Sequence, residues 1–153
     1  MADPDRLIIG VTEYVDIPEW NVLQLRAKVD TGARSSALHV ENLCEISRDR
    51  VRFEVRLHRY KLERRLTIEA PITRRCRVRA STGVASARVF VSVGLRIGPL
   101  VQNIELGLVD RANMLYRMLL GRTALGRYFL IDPAQRYALT SPHGDFPARG
   151  LRR

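Results

Sequence analysis

Val89-Phe-Val-Ser-Val-Gly-Leu-Arg-Ile97 places Val89, Val91, Val93, Leu95 and Ile97 at every second position. A repeat of two belongs to a strand with one face on a core; a helix would space its apolar positions by three or four. Val51-Arg-Phe-Glu-Val-Arg-Leu57 repeats the pattern with strict apolar and charged alternation. Gly98-Pro99 then marks a turn, and Asn103 to Val109 carries Ile104, Leu106 and Leu108 in register. Arg6 to Val11 is a compact apolar run with Gly10 near its end. Phe129-Leu-Ile-Asp-Pro and Arg136-Tyr-Ala-Leu-Thr read as a closing hairpin around Asp132-Pro133-Ala-Gln. Helical signal is scarce and gathers in Arg122 to Arg127, between two strands. Many short strands with turns between them make an all-β chain, a small barrel or sandwich.

A length of 153 residues suits one domain with one core. Residues 1–140 are expected to form it. Residues 141–153, with Pro142, Gly144, Pro147, Gly150 and a terminal Arg152-Arg153, are expected to form a mobile basic tail. No apolar window is long enough to span a bilayer, and the opening MADPD is acidic where a signal peptide is basic. A cytoplasmic protein with no membrane partner is the expectation. Cys44 and Cys76 lack CxxC spacing and read as two reduced, partly buried thiols.

The charge is unusual. Lys+Arg is 26 against 16 Asp+Glu, a net +10, and Lys28 and Lys61 are the only lysines. Such an arginine surface suits bidentate recognition of carboxylate or phosphate; a genome rich in G and C would produce it equally well. Charge names a class of partner, acidic polymers, and no chemistry. A basic barrel that binds RNA would need stacking aromatics, yet aromatics are 7% and Phe53, Phe90 and Phe129 interleave with core positions. Nucleic acid is therefore not the expected partner.

Asp30-Thr31-Gly32 follows a strand ending at Val29. Gly32 and Ala33 let the backbone turn with nothing bulky overhead, and Thr31, Ser35 and Ser36 supply hydroxyls for a neighbouring loop. This suits a carboxylate held at a strand end and oriented by its neighbours. The same residues also suit an Asp that caps a turn. Lys28 falls on the face of Asp30 by strand alternation, and is either a solvated lysine or a cation near the carboxylate. Asp132, before Pro133, reads as a turn residue, and Asp110 as a local ion pair with Arg111 or as a residue near the site. His39, His58 and His143 are scattered, with no HExxH and no Cys/His cluster, so no metal is expected. No phosphate-cradling glycine loop occurs, and no cofactor is expected.

Met118-Leu119-Leu120-Gly121-Arg122 sets an apolar strand before a glycine in the C-terminal half. With the Asp-Thr-Gly loop it resembles the retropepsin-like aspartic peptidases, in which a hydrophobic-hydrophobic-Gly strand crosses that loop. Lys28-Val-Asp-Thr-Gly-Ala-Arg-Ser-Ser-Ala-Leu38, with Asp110-Arg111, Met114, Tyr116 and Met118 to Arg122, is similar to the RimB-type family named for ATP-dependent zinc proteases. The resemblance runs from Leu7 to Leu139. Arg117 departs from it, standing where proline is common, a change expected to loosen the approach to the crossing strand.

The resemblance implies a small closed retropepsin-like barrel with one short helix. It implies an aspartic peptidase whose catalytic residues are Asp30, Thr31 and Gly32. One Asp-Thr-Gly per chain implies a homodimer in which two copies of Asp30 share a proton and activate water. Lys28, Arg34, Ser35, Ser36, Asp110, Arg111 and Arg122 are the expected substrate-binding residues, facing an acidic peptide or a glutamylated protein tail. Association with an ATP-grasp glutamate ligase is the implied partner. Arg64 to Val84, pliable at Gly83, is the candidate flap. A catalytically silent peptide-binding module on the same fold is the alternative.

Overall fold

The computed structural model describes residues 5–56, 65–79, 83–110 and 115–141. Its strands are β1 (Leu7–Ile9), β2 (Thr12–Ile17), β3 (Val22–Val29), β4 (Ser36–His39), β5 (Glu41–Ser47) and β6 (Arg50–Arg56), then β7 (Arg65–Pro71), β8 (Arg74–Arg79), β9 (Ala85–Ile97), β10 (Leu100–Val109), β11 (Met118–Leu120) and β12 (Phe129–Ile131). One helix, α1 (Arg122–Leu125), is shorter than the expected 122–127. A single 3-10 turn, Pro18–Trp20, joins β2 to β3.

Six strands close on themselves in the order β10-β4-β11-β3-β2-β9, because β9 also pairs with β10; β8 adds at β9. This is the all-β closed barrel with one short helix. The alternating residues line its interior: Val91, Leu95 and Leu106 are 0% exposed, and Val89, Val93, Ile97, Ile104 and Leu108 are buried with them. Closure lets this mixed sheet bury one face of each strand while leaving few bare edges. A second sheet, β5-β6-β7, buries Val51, Phe53 and Val55, and Trp20 meets the Phe53 ring edge-on at 5.4 Å. Both sheets share one apolar cluster.

The expected closing hairpin does not form. β12 instead pairs in parallel with β1, Leu7 with Phe129 through Ile9 with Ile131. The Asp132 turn is present: its carboxylate accepts the Ala134 amide at 2.9 Å and the Gln135 side-chain amide at 2.7 Å. Those bonds, the Gln135 one first, pull its carboxyl below the usual range. Residues 136–140 then run as a strap rather than a strand, bent at Tyr137 with φ +56°. A strap anchored by one buried carboxylate, Glu13, carries no alternation for a sequence pattern to reveal.

Over its described residues, 65–79 and 83–84, the candidate flap is divided between two sheets. β7 pairs with β6 and β8 with β9, so its halves belong to different sheets. The hairpin that does form is β8–β9, with Gly83 at φ +87° near its tip and the Arg79 guanidinium on the Gly83 carbonyl at 2.8 Å. Cys44 is exposed and Cys76 half-buried, and both are free thiols; the expectation of partial burial fails for Cys44 because β5 is exposed along most of its length. Arg64 and the tail beyond Ser141 lie outside the described residues. No described helix is long and apolar enough to cross a membrane.

Candidate active site

β3 ends at Val29, and the chain turns at once. The Ala33 amide donates to the Asp30 carbonyl at 3.2 Å, and the Gly32 amide donates to Asp30 Oδ1 at 3.1 Å. A Cβ on Gly32 would lie 3.3 Å from that oxygen, so glycine lets the amide reach the carboxylate without crowding. Asp30 is half-buried, whereas Thr31 and Gly32 are exposed. The carboxylate is thus oriented by its own turn and open on one side. Capping and presentation coexist here, so the two readings of Asp30 from its neighbours are not exclusive.

β11 crosses this loop. It runs parallel to β3 (Met118 with Ala27, Leu120 with Val29) and antiparallel to β4 (Met118 with Leu38, Leu119 with Ala37). Inserting one strand between two others places its end against the loop that joins them. The Asp30 amide donates to the Leu120 carbonyl at 2.9 Å. Arg122 and Thr123 amides donate to the Ala33 and Arg34 carbonyls at 2.9 and 3.0 Å. The Gly121 amide donates to Ser36 Oγ at 3.0 Å, and Arg122 Nη1 to the Thr31 carbonyl at 3.0 Å. Five bonds hold the loop from one short stretch.

Gly121 has no room for a side chain. A Cβ there would sit 2.5 Å from the Ser35 carbonyl carbon and 2.9 Å from that of Arg34, both backbone atoms that cannot swing aside. Gly121→Ala is expected to destabilise the fold by about 1–3 kcal/mol and to displace the Asp30 loop. Urea unfolding beside a hydrolysis assay checks this; a variant of unchanged stability would disprove the crowding.

The other expected residues divide. Arg34 is exposed and Ser35 half-buried on the loop. Ser36, expected to meet substrate, is 0% exposed and accepts the Gly121 amide, so it holds the crossing strand instead. Arg122 is exposed but spends one guanidinium nitrogen on the Thr31 carbonyl. Asp110 is not brought to the loop: β10 runs parallel to β4 with Val109 beside His39, at the end of β4 opposite Ser36. Arg111 and Met114 lie outside the described residues. Lys28 is exposed, its ammonium 6.0 Å from the centre of the Tyr116 ring.

Arg117 does not loosen the crossing strand. Its carbonyl accepts the His39 amide at 2.7 Å and its guanidinium donates to the Arg56 carbonyl. The described residues around the Asp30 loop offer no zinc ligand set. Among the described residues no three His, Cys, Asp or Glu side chains gather. His39 is buried with Nε2 3.5 Å from Glu41, whose carboxylate already holds Arg56 and Arg65. His58 and His143 lie outside the described residues. Sequence reasoning passed over Arg26, two residues before Lys28 on the same strand; the same alternation that singled out Lys28 points to it.

A closed barrel whose Asp-Thr-Gly loop is clamped by a hydrophobic-hydrophobic-Gly strand defines the retropepsin-like class. The chain belongs to the RimB-like family: the family model described as "Retropepsin-like aspartic endopeptidase RimB" matches residues 8–142. It is 34% identical over 142 residues to a probable alpha-L-glutamate ligase of Desulfotalea psychrophila, covering 90% of this chain and 30% of that protein. A similarly named protein of Shewanella pealeana is 33% identical over 144 residues, covering 91% and 31%. The chain thus spans under a third of the length of these relatives. A crystal structure of a Legionella pneumophila protein of unknown function shares its fold, with a TM-score of 0.69, 30% identity, and 85% and 95% of the two chains covered.

Proposed function

We propose that this protein is an aspartic-type peptidase that hydrolyses amide bonds in acidic, glutamate-tailed substrates. The observation that carries the reading is the Asp30 carboxylate, held by the Gly32 amide at the open end of β3 while β11 fastens the loop beneath it. Two such carboxylates, one from each of two copies, would share one proton, since like charges so close do not both ionise. The ionised one takes a proton from water as the oxygen attacks the carbonyl carbon. The protonated one gives its proton to the carbonyl oxygen. When the tetrahedral carbon collapses, the C–N bond breaks and the nitrogen leaves with a proton from the dyad. Thr31, Arg34 and Ser35 line the loop around this chemistry.

Substrate class follows from charge and from relatives. A net charge of +10 favours an acidic chain. The glutamate-ligase names of longer relatives support a peptidase that acts where glutamate has been added, alongside an ATP-grasp ligase. The test is incubation of the full chain with peptides ending in several glutamates or glutamines, read by mass spectrometry with and without chelator. Hydrolysis of the glutamate series that survives chelator is expected. Activity per chain should fall on dilution through dimer dissociation; constant activity in a sedimenting monomer would sink the shared site. Peptide binding without hydrolysis would leave a silent binding module.

A further inference from the structure

Going back from Asp30, which follows β3, the first exposed positions of the strand are Lys28 and Arg26, both cations. Each step of two residues along a strand is about 6.6 Å, so both cations stand within a side chain's reach of one another beside the loop. Several guanidinium groups elsewhere on the molecule meet carboxylates: Arg52 with Glu69, Arg74 with Glu105, Arg75 with Glu45 and Arg96 with Asp16. Arg26 and Lys28 are different. Among the described residues neither pairs with an acid; both face the Tyr116 ring, at 5.0 and 6.0 Å from its centre.

Further tyrosines complete the setting. Arg26 Nε donates to the Tyr137 hydroxyl at 3.1 Å. Tyr137 stacks on Tyr14 at 4.6 Å, and Tyr14 lies directly across from Arg26 in the β2–β3 register. Burial, and then the Tyr137 phenol, raise the Tyr14 phenol above its usual value, so it stays neutral. Rings and phenols hold a cation in place without cancelling its charge. A guanidinium held by one nitrogen keeps other N–H donors for an incoming carboxylate.

We propose that Arg26 and Lys28, set against Tyr116, form a strip that binds two acidic side chains of a peptide beside the Asp30 loop. This rests on the peptidase reading and adds to it the residues that select glutamate. Same-face side chains of an extended peptide repeat at the spacing of the strip, so two glutamates on one face meet the two cations together. Tyr116 is a positioning residue, which touches the cations rather than the reacting atoms.

The experiment compares peptides carrying Glu or Gln at each of the last positions, cleaved by the wild-type chain, Arg26→Gln, Lys28→Gln, Tyr116→Leu and Tyr116→Phe. Arg26→Gln and Lys28→Gln should each raise KM for the glutamate peptide by about tenfold, the loss of one charge-assisted hydrogen bond. Each should erase the Glu over Gln preference at one position, a different one for each variant. Tyr116→Leu should weaken the preference and Tyr116→Phe restore it. The same labelled peptides are titrated into Asp30→Asn chains by fluorescence anisotropy, with circular dichroism confirming the fold. Glu over Gln preference unchanged in both Arg26→Gln and Lys28→Gln overturns the strip. If the wild type cleaves nothing, the peptidase reading falls alone, and anisotropy still decides the strip.

Discussion

Asp30→Asn should slow hydrolysis of a glutamate-tailed peptide by at least about a thousandfold while leaving the fold intact, the size expected when a dyad loses its acid–base function. Asparagine nearly matches aspartate in shape, and its amide oxygen can still accept the Gly32 hydrogen bond now received by Oδ1. The Asp30 amide bond to the Leu120 carbonyl does not involve the side chain at all. The loop therefore has every local reason to keep its geometry. In the proposed mechanism, what the substitution removes is the group that takes a proton from water and returns one to the leaving nitrogen. Matching circular dichroism and urea midpoints for the two chains, with hydrolysis lost in one, is the expected pair of results. An Asp30→Asn chain that cleaves at a tenth of the wild-type rate would mean that Asp30 only shapes the turn.

The second large effect concerns stability. Glu13 is 0% exposed, and four donors converge on its two oxygens. The Gly10 and Leu139 amides reach Oε2 at 2.7 and 3.1 Å. The Thr140 amide and hydroxyl reach Oε1 at 3.0 and 2.5 Å. Thr140 Oγ1 in turn accepts the Tyr14 amide at 2.8 Å. Glu13→Ala strips the acceptor from three buried backbone amides and a hydroxyl. Each unsatisfied donor costs about 1–3 kcal/mol, so the total is about 4 kcal/mol or more, a large share of a typical domain's stability. Denaturant unfolding should show that loss, and hydrogen exchange at Leu139 and Thr140 should accelerate as the strap lifts. Glu13→Gln should fall between the two, because its amide turns one acceptor into a donor that faces donors. A Glu13→Ala chain within about 1 kcal/mol of wild type would show that the strap does not depend on this carboxylate.

These two acids show how unevenly a candidate site and a fold are written in the chain. Asp30 could be found without coordinates because its loop and its clamp are both local patterns, Asp-Thr-Gly and Met-Leu-Leu-Gly, and each needs particular residue types for steric reasons. Gly121 has no space for a Cβ, and Gly32 must let its amide reach a carboxylate. Glu13 had no such signature. In Thr-Glu-Tyr-Val-Asp-Ile an acid reads as solvent-facing, and only the return of residues 139 and 140 from the far end of the chain buries it. Ser36 is hidden for the same reason: a hydroxyl near the Asp-Thr-Gly loop reads as a substrate contact until the crossing strand covers it.

By itself the sequence determined the strands whose faces differ. Alternation in Val51–Val55, Val89–Ile97 and Ile104–Leu108 marks the buried side because every second residue must leave water, a rule that acts within one strand. It also supplied the two halves of the site. Tertiary structure alone decided which strands meet: the parallel pairing of β1 with β12, the insertion of β11 between β3 and β4, and the split of residues 65–79 between two sheets. It also decided that Asp110 follows Val109, which lies level with His39 and away from Ser36, and that Arg26 and Lys28 face a ring instead of an acid. Pairing partners are set by closure of the barrel, where each strand's neighbours depend on all the others, and no local spacing carries that information.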